Sequence, residues 1–258
     1  MRVVSLVPSA TETLFDLGVG QHLVGCTRYC VEPEVPLRKV PRVGGTKNPD
    51  LEQIAALKPD LVLANREENR EEHIGWLQER LPVYESMPRT LTEAAAFVRE
   101  VGKRLDAVEA AEAIVLEIQA QLARAEVETV FKKPVRVFYA IWKKPWMAIN
   151  ADTYIHDLLR HAGAENVTAH LDARYPVVSP QELRGLSAEL VVLPNEPFAF
   201  NAFHKKEVLE LQLFGPEVPV VLVDGKDFCW HGSRSGRGLA AAIDVLQPFR
   251  GSRGQRVR

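Results

Sequence analysis

The stretch DLEQIAALKPDLVLA, Asp50 to Ala64, has a counterpart 129 positions later in SPQELRGLSAELVVL, Ser179 to Leu193. Aligned at that shift, Asp50 and Ser179 both stand where a helix N-cap belongs, and Pro180 with Glu182 adds a first-turn proline and a capping box to the second copy. Ile54 and Leu57 match Leu183 and Leu186 on one helix face, and Leu61, Val62 and Leu63 match Leu190, Val191 and Val192 in the following strand. Pro82 and Pro219 open the next strands in turn. Any two helix–strand units share some of this pattern; the order together with the caps reads as two similar lobes.

Working outward, the N-terminal RVVSLV is a buried strand. Ser9 and Glu12 suggest a capping box on the helix that follows, which ends at Gly18. HLVGC is a second strand, and Pro33, Pro36, Pro41 and Pro49 with Gly44 and Gly45 predict an irregular loop before Asp50. ENREEHIGWLQER predicts a helix and PVYES a strand, so helices alternate with strands as in a parallel sheet. From Thr90, apolar residues recur at Phe97, Val101, Leu105, Val108, Ala111, Val115, Ile118, Leu122 and Ala125, which predicts one long amphipathic helix. Alternation resumes with PVRVFYAIW, a helix over 152–161, the Ser179 helix, ELVVL, a helix near 204–213, PVVLV and a helix near 236–246. The expected fold class is α/β: two Rossmann-like lobes with mainly parallel sheets joined by one long α-helix. The expected boundaries are an N-terminal lobe over 1–89, a connecting helix over 90–128, a C-terminal lobe over 129–250 and a disordered tail over 251–258.

Composition excludes several functions. A net charge of −2 from 32 basic and 34 acidic residues offers no general attraction to nucleic acid. No apolar run approaches the ~20 residues that span a bilayer, so a soluble chain without membrane insertion is expected. The N-terminus lacks a secretory h-region and a lipid-attachment Cys, which fits either a mature form with an added Met or a cytoplasmic chain. Cys26, Cys30 and Cys229 read as reduced thiols, with a Cys26–Cys30 disulfide or a metal site shared with a His as minor options. The seven His residues are scattered, so no metal site is expected.

In parallel sheets ligands gather at the carboxyl ends of strands. The first lobe offers Arg28, Tyr29, Thr46, Lys47, Asn65 and Arg66 there; the second offers Trp142, Trp146, Phe198, Phe228, Trp230 and His231. Three of the four Trp fall in these second-lobe loops. Either they pack on the neighbouring lobe or fill a strand end, or they line a cleft between the lobes for a large flat or macrocyclic ligand. GSRSGRG, with Arg234 and Arg237 at a helix start, either cradles an anion or simply caps a surface helix. EENREE is a solvated helix start or a docking point, with Glu196 and Glu207 in the corresponding region of the second lobe.

Together, VVSLVPSATETLFDLGVG, LVGCTRYC followed by EP, KVPRVGG, DLEQIAALKPDLVLA, the long helix and DGKDFCWHGSR resemble the substrate-binding proteins of ABC importers for cobalamin and ferric siderophores, the helical-backbone metal receptors. The resemblance runs to about Leu246. It implies capture of a corrinoid, ferric siderophore or haem-type chelate, no catalysis, no covalent cofactor, a monomer, an extracytoplasmic location and delivery to an ABC transporter permease. By position it implies that Tyr29, Trp142, Phe228 and Trp230 line the cleft, and that Glu71 and Glu196 dock to permease arginines. Cobalamin binders tend to carry Trp where this chain has Thr46 and Asn65, so the resemblance reaches the class rather than cobalamin itself. The competing reading is a cytosolic enzyme or chelate-handling protein using the same cleft, with His231 and Asp227 as acid and base.

Overall fold

In the computed structural model, which describes residues 1–251, the two copies of the repeated stretch occupy the same place in two separate four-stranded sheets. The chain divides into two units. The first holds Met1–Pro88, Thr92–Glu117 and His231–Arg234; the second holds Arg89–Leu91, Ile118–Trp230 and the described residues from Ser235.

In the first unit, β1 (Val3–Ser5) leads into α1 (Pro8–Asp16) and β2 (Leu23–Cys26). Then come α2 (Glu34–Leu37), α3 (Leu51–Ala56), β3 (Leu61–Asn65), α4 (Glu71–Gln78) and β4 (Val83–Ser86). The strand order is β2-β1-β3-β4 and every pairing is parallel. All five residues of β3 are buried, as expected of a strand covered on both faces. Val62 and Ala64 on one of its faces pack with Val4, Leu6, Val43, Ile54, Ile74 and Leu77. Asp50 accepts a hydrogen bond from the Gln53 amide at 2.9 Å, the cap foreseen for α3. The proline-rich loop contains one helical turn, α2, that proline content alone did not suggest.

The apolar periodicity expected to make one helix over 90–128 makes two, α5 (Leu91–Arg104) and α6 (Val108–Thr129). Asp106 adopts φ 54°, and the Ala107 amide reaches back to the Gly102 carbonyl at 2.8 Å, a Schellman closure in which Asp stands where Gly is usual. A Cβ on Gly102 would lie 2.5 Å from that of Ala111, so only glycine permits the close turn. Steps of three and four continue across this break, which hides it from a periodicity argument. Val108, counted on the apolar face, is 54% exposed.

In the second unit, β5 (Val135–Tyr139) is followed by α7 (Tyr154–His161), β6 (Ala164–Asn166), α8 (Pro180–Gly185) and β7 (Leu190–Pro194). Then come α9 (Ala202–Glu210), β8 (Val220–Val223), α10 (Gly225–Cys229) and α11 (Ser235–Leu246). The order β6-β5-β7-β8 repeats that of the first sheet, again all parallel. β3 and β7, the two copies of the repeated strand, thus hold equivalent positions. Val62 pairs with Val4 and Val83, and Val191 pairs with Phe138 and Val220. Ser179 and Glu182 form the foreseen capping box, with bonds of 3.2 and 2.7 Å.

The Ser9–Glu12 capping box does not form: α1 starts at Pro8 after Val7, with no side-chain cap. Glu12 turns instead to Arg234, accepting a bond from its Nε at 2.7 Å and a second from the other arm of the guanidinium. The tail expected to be disordered lies, beyond Gly251, outside the described residues.

Candidate functional site

The strand-end loops of the first unit are built from polar groups that satisfy one another. Cys26 ends β2, and the Cys30 amide bonds back to the Thr27 carbonyl at 3.2 Å, so Thr27–Cys30 is a tight turn. Its tip carries Arg28 and Tyr29, the latter 55% exposed, with the guanidinium 5.9 Å from the ring centroid. The Arg28 amide donates to the Gly44 carbonyl at 2.9 Å, which ties this turn to the glycine pair, where Gly44 has φ 91°.

Thr46 is buried, and its carbonyl accepts from Asn69 Nδ2 at 3.0 Å. Asn65 is also buried: its Oδ1 takes the amides of Glu67 and Glu68 at 2.8 and 3.3 Å, while its own amide bonds Asn69 Oδ1 at 2.9 Å. Asn69 also donates to the Leu6 carbonyl at 3.3 Å, stitching three loops together, and sequence reasoning missed it. The Asn-x-x-x-Asn spacing after a strand was the available signal. Lys47 and Arg66 are exposed, but Lys47 is hydrogen-bonded to the Glu67 carbonyl and Arg66 is paired with Glu85. Of the six first-unit candidates, Arg28 and Tyr29 are the ones whose side chains project from the turn.

The second unit presents aromatic rings instead. Trp142 is 41% exposed and stands edge-on to Phe198 at 5.3 Å; Phe198 in turn meets His204 at 5.2 Å. Phe203, 71% exposed, extends the cluster at the start of α9, a residue not singled out from sequence. Lys143, buried beside Trp142, is paired with Glu207. Burial, and secondarily this Lys, keep His204 below the usual imidazole range.

Trp146 and Phe228 lie in the interior of the second unit. Trp146 stacks on Phe200 at 5.8 Å within the core, and Phe228, 1% exposed, lies 5.7 Å from Tyr139. Both fill space behind strand ends, where an aromatic ring buries more surface than any other side chain. Trp230 is 6% exposed and donates through Nε1 to Glu196 at 3.1 Å, with Lys226 Nζ 5.6 Å from its ring. His231 belongs to the first unit, edge-on to Phe97 at 5.3 Å; burial lowers its pKa to about 4.

GSRSGRG does not present unpaired cations. Arg234 is committed to Glu12 inside the first unit, and Arg237 to Asp227 at 2.9 Å inside the second. Asp227, the carboxylate considered for acid–base work with His231, is thereby engaged in its own unit. Glu71, the first docking candidate, is exposed in the first turn of α4, at a hollow of about 560 Å³ bounded by Arg66, Asn69, Gln78 and Glu85. Among the described residues no group of three or more His, Cys, Asp or Glu is arranged to hold a metal ion, and no helix is long and apolar enough to cross a membrane.

Two parallel sheets of identical order, with polar loops on one and aromatic loops on the other, match a known architecture. The sequence profile of the periplasmic binding proteins covers residues 3–210. The chain belongs to that family. A vitamin B12-binding protein of Vibrio parahaemolyticus is 29% identical over 251 residues, covering 96% of this chain and 89% of the relative. The crystal structure of the periplasmic vitamin B12 binding protein of Vibrio cholerae superposes with a TM-score of 0.84 at 21% identity, covering 98% of both chains. A periplasmic heme binding protein from Pseudomonas aeruginosa does so with 0.80 at 22% identity, covering 97% of this chain and 94% of the other. The two solved structures establish the shared fold. As a member of this family the chain is a binding protein and not an enzyme.

Proposed function

We propose that this protein captures a large tetrapyrrole-like or siderophore-type metal chelate, of the corrinoid, haem or ferric-siderophore class, and delivers it to the permease of an ABC importer. The observation that carries this reading is the pair of relationships just given: vitamin B12 binding in the sequence relative and heme binding in a protein of the same fold. The exposed Trp142 with Phe198 and Phe203 supports it, because aromatic faces bind the apolar plane of a macrocycle at small entropic cost. Tyr29 and Arg28 supply an exposed ring and a cation suited to peripheral carboxylates or amides.

In this reading Trp142, Phe198, Arg28 and Tyr29 contact the ligand. Lys47, Arg66, Trp230 and His231 shape the surrounding loops. Thr46, Asn65, Trp146 and Phe228 hold those loops from behind. Glu71 and Glu196 meet permease arginines, as the two acidic docking points. The ligand is a transported cargo and not a resident cofactor.

The test is thermal unfolding of the full chain with cobalamin, cobinamide, haemin and ferric siderophores. A ligand at 100 times its Kd stabilises by about 2.7 kcal/mol, a readily measured rise in Tm. A rise with at least one chelate is expected. No rise with any of them at concentrations of about 100 µM overturns the proposal.

A further inference from the structure

The functional reading leaves unused one buried group of reactive side chains, around Cys26 and Cys30. Both cysteines are fully buried, four residues apart at the two sides of the Thr27–Cys30 turn. Thr11 Oγ1 donates to Cys30 Sγ at 3.1 Å, and Thr27 Oγ1 lies 3.2 Å from the same sulfur. Arg42 Nη1 donates to Cys26 Sγ at 3.0 Å and also to the carbonyls of Thr27 and Cys30 at 3.0 and 2.7 Å. A guanidinium and two hydroxyls therefore surround the two cysteines, whose backbones the Thr27–Cys30 turn folds back toward each other. The residues closed between them are Thr27, Arg28 and Tyr29, whose exposed tip projects from the unit.

We propose that Cys26 and Cys30 are a reversible dithiol–disulfide pair, oxidised by a small disulfide, whose closure locks the Arg28–Tyr29 turn. Burial raises the Cys30 pKa, but hydrogen bonds from Cys26, Thr11 and Thr27 outweigh it and bring the thiol down to about 7. Cys26 is held well above the ordinary range, first by its hydrogen bond to Cys30 and then by burial. Cys30 is thus the attacking thiolate and Cys26 the resolving thiol.

The chemistry balances with the oxidant named. The Cys30 thiolate attacks one sulfur of the disulfide, forming a mixed disulfide and releasing one thiolate, which takes the proton that Cys30 gave up to solvent. Cys26 then loses its proton and attacks the Cys30 sulfur, expelling the second thiol, which carries that proton. Two electrons pass from the cysteine pair to the oxidant, and one protein disulfide and two small thiols result. Because both sulfurs are covered, exchange proceeds through opening of the exposed turn.

The test uses the folded full chain, exposed to oxidised glutathione, quenched in acid, alkylated under denaturing conditions and mapped by peptide mass spectrometry. A Cys26–Cys30 bridge with Cys229 alkylated, reversed by dithiothreitol, is the expected result. In Cys26→Ser the reaction should stall as a glutathione adduct on Cys30. Recovery of Cys26 and Cys30 both alkylated after prolonged oxidation overturns the proposal, as does a bridge involving Cys229. An adduct on Cys229 with Cys30 unmodified in Cys26→Ser does the same. None of these readouts depends on the identity of the transported ligand.

Discussion

The strand-end loops of the two units differ although their sheets do not. β2-β1-β3-β4 and β6-β5-β7-β8 are the same order with the same all-parallel pairing. Yet the loops after β1 and β3 are locked by Asn65 and Asn69, with Glu12 of α1 holding Arg234, and those after β5 and β7 display Trp142 and Phe198, with Phe203 at the start of α9. Strand order follows from burial and handedness, which restrict a βαβ unit to few solutions. Loop chemistry carries no such restriction, so it is where two copies of one architecture can diverge.

The sharpest way to break this comparison is to remove the charge pair of the first unit. Glu12→Gln leaves the Arg234 guanidinium, 4% exposed, without its full counter-charge, and should cost about 3–5 kcal/mol of stability in urea unfolding. Replacing both residues by apolar ones of similar volume should restore most of it. A loss under about 1 kcal/mol for Glu12→Gln would mean that the first unit does not depend on this buried charge pair.

His231 should produce the next largest effect, read against pH. Its folded pKa is lowered by burial to about 4, against 6.5 in the ordinary state. As pH falls below about 6.5 the unfolded chain takes up the proton that the folded chain refuses, so stability drops, by about 3 kcal/mol once pH reaches ~4. Above pH ~6.5 the group contributes no slope, and below ~4 the loss is complete. His231→Phe should flatten the decline in unfolding free energy across that window; an unchanged decline would remove His231 as its source.

How much of this was legible in the sequence depended on what each signal reports. Caps at Asp50 and Ser179 were readable because a short polar side chain before an apolar run has few other uses. The same logic failed at Glu12, since a Ser-x-x-Glu spacing cannot show that a partner 222 positions away competes for the carboxylate. The break at Leu105–Ala107 was invisible because Asp106 supplied the left-handed turn that a Gly would have advertised. Strand β6 and helix α10, three and five residues long, fall below the length at which periodicity carries information. Aromatic residues after strands stand out in the sequence, but sequence could not separate the exposed Trp142 from the core-filling Trp146 and Phe228.

A smaller effect sharpens the aromatic side of the comparison. Trp142→Ala should leave stability within about 0.5 kcal/mol. It should weaken chelate binding by about 2 kcal/mol, some thirtyfold, by equilibrium titration. The smallest expected effect joins the two units: Asp50→Ala and Ser179→Ala should each cost about 1 kcal/mol in urea unfolding, since the two caps do the same work in the two copies. A large inequality between them would show that the repeats differ in more than their loops.

The most direct test is tryptophan fluorescence of the full chain titrated with cobalamin, cobinamide, haemin and ferric siderophores. At least one chelate should quench emission saturably with a midpoint at or below micromolar concentration. Trp142→Phe should remove much of that signal and weaken the affinity, while Trp76→Phe in the first unit should leave the affinity intact. Absence of saturable quenching by every chelate, or an affinity unaltered in Trp142→Phe, would contradict the account.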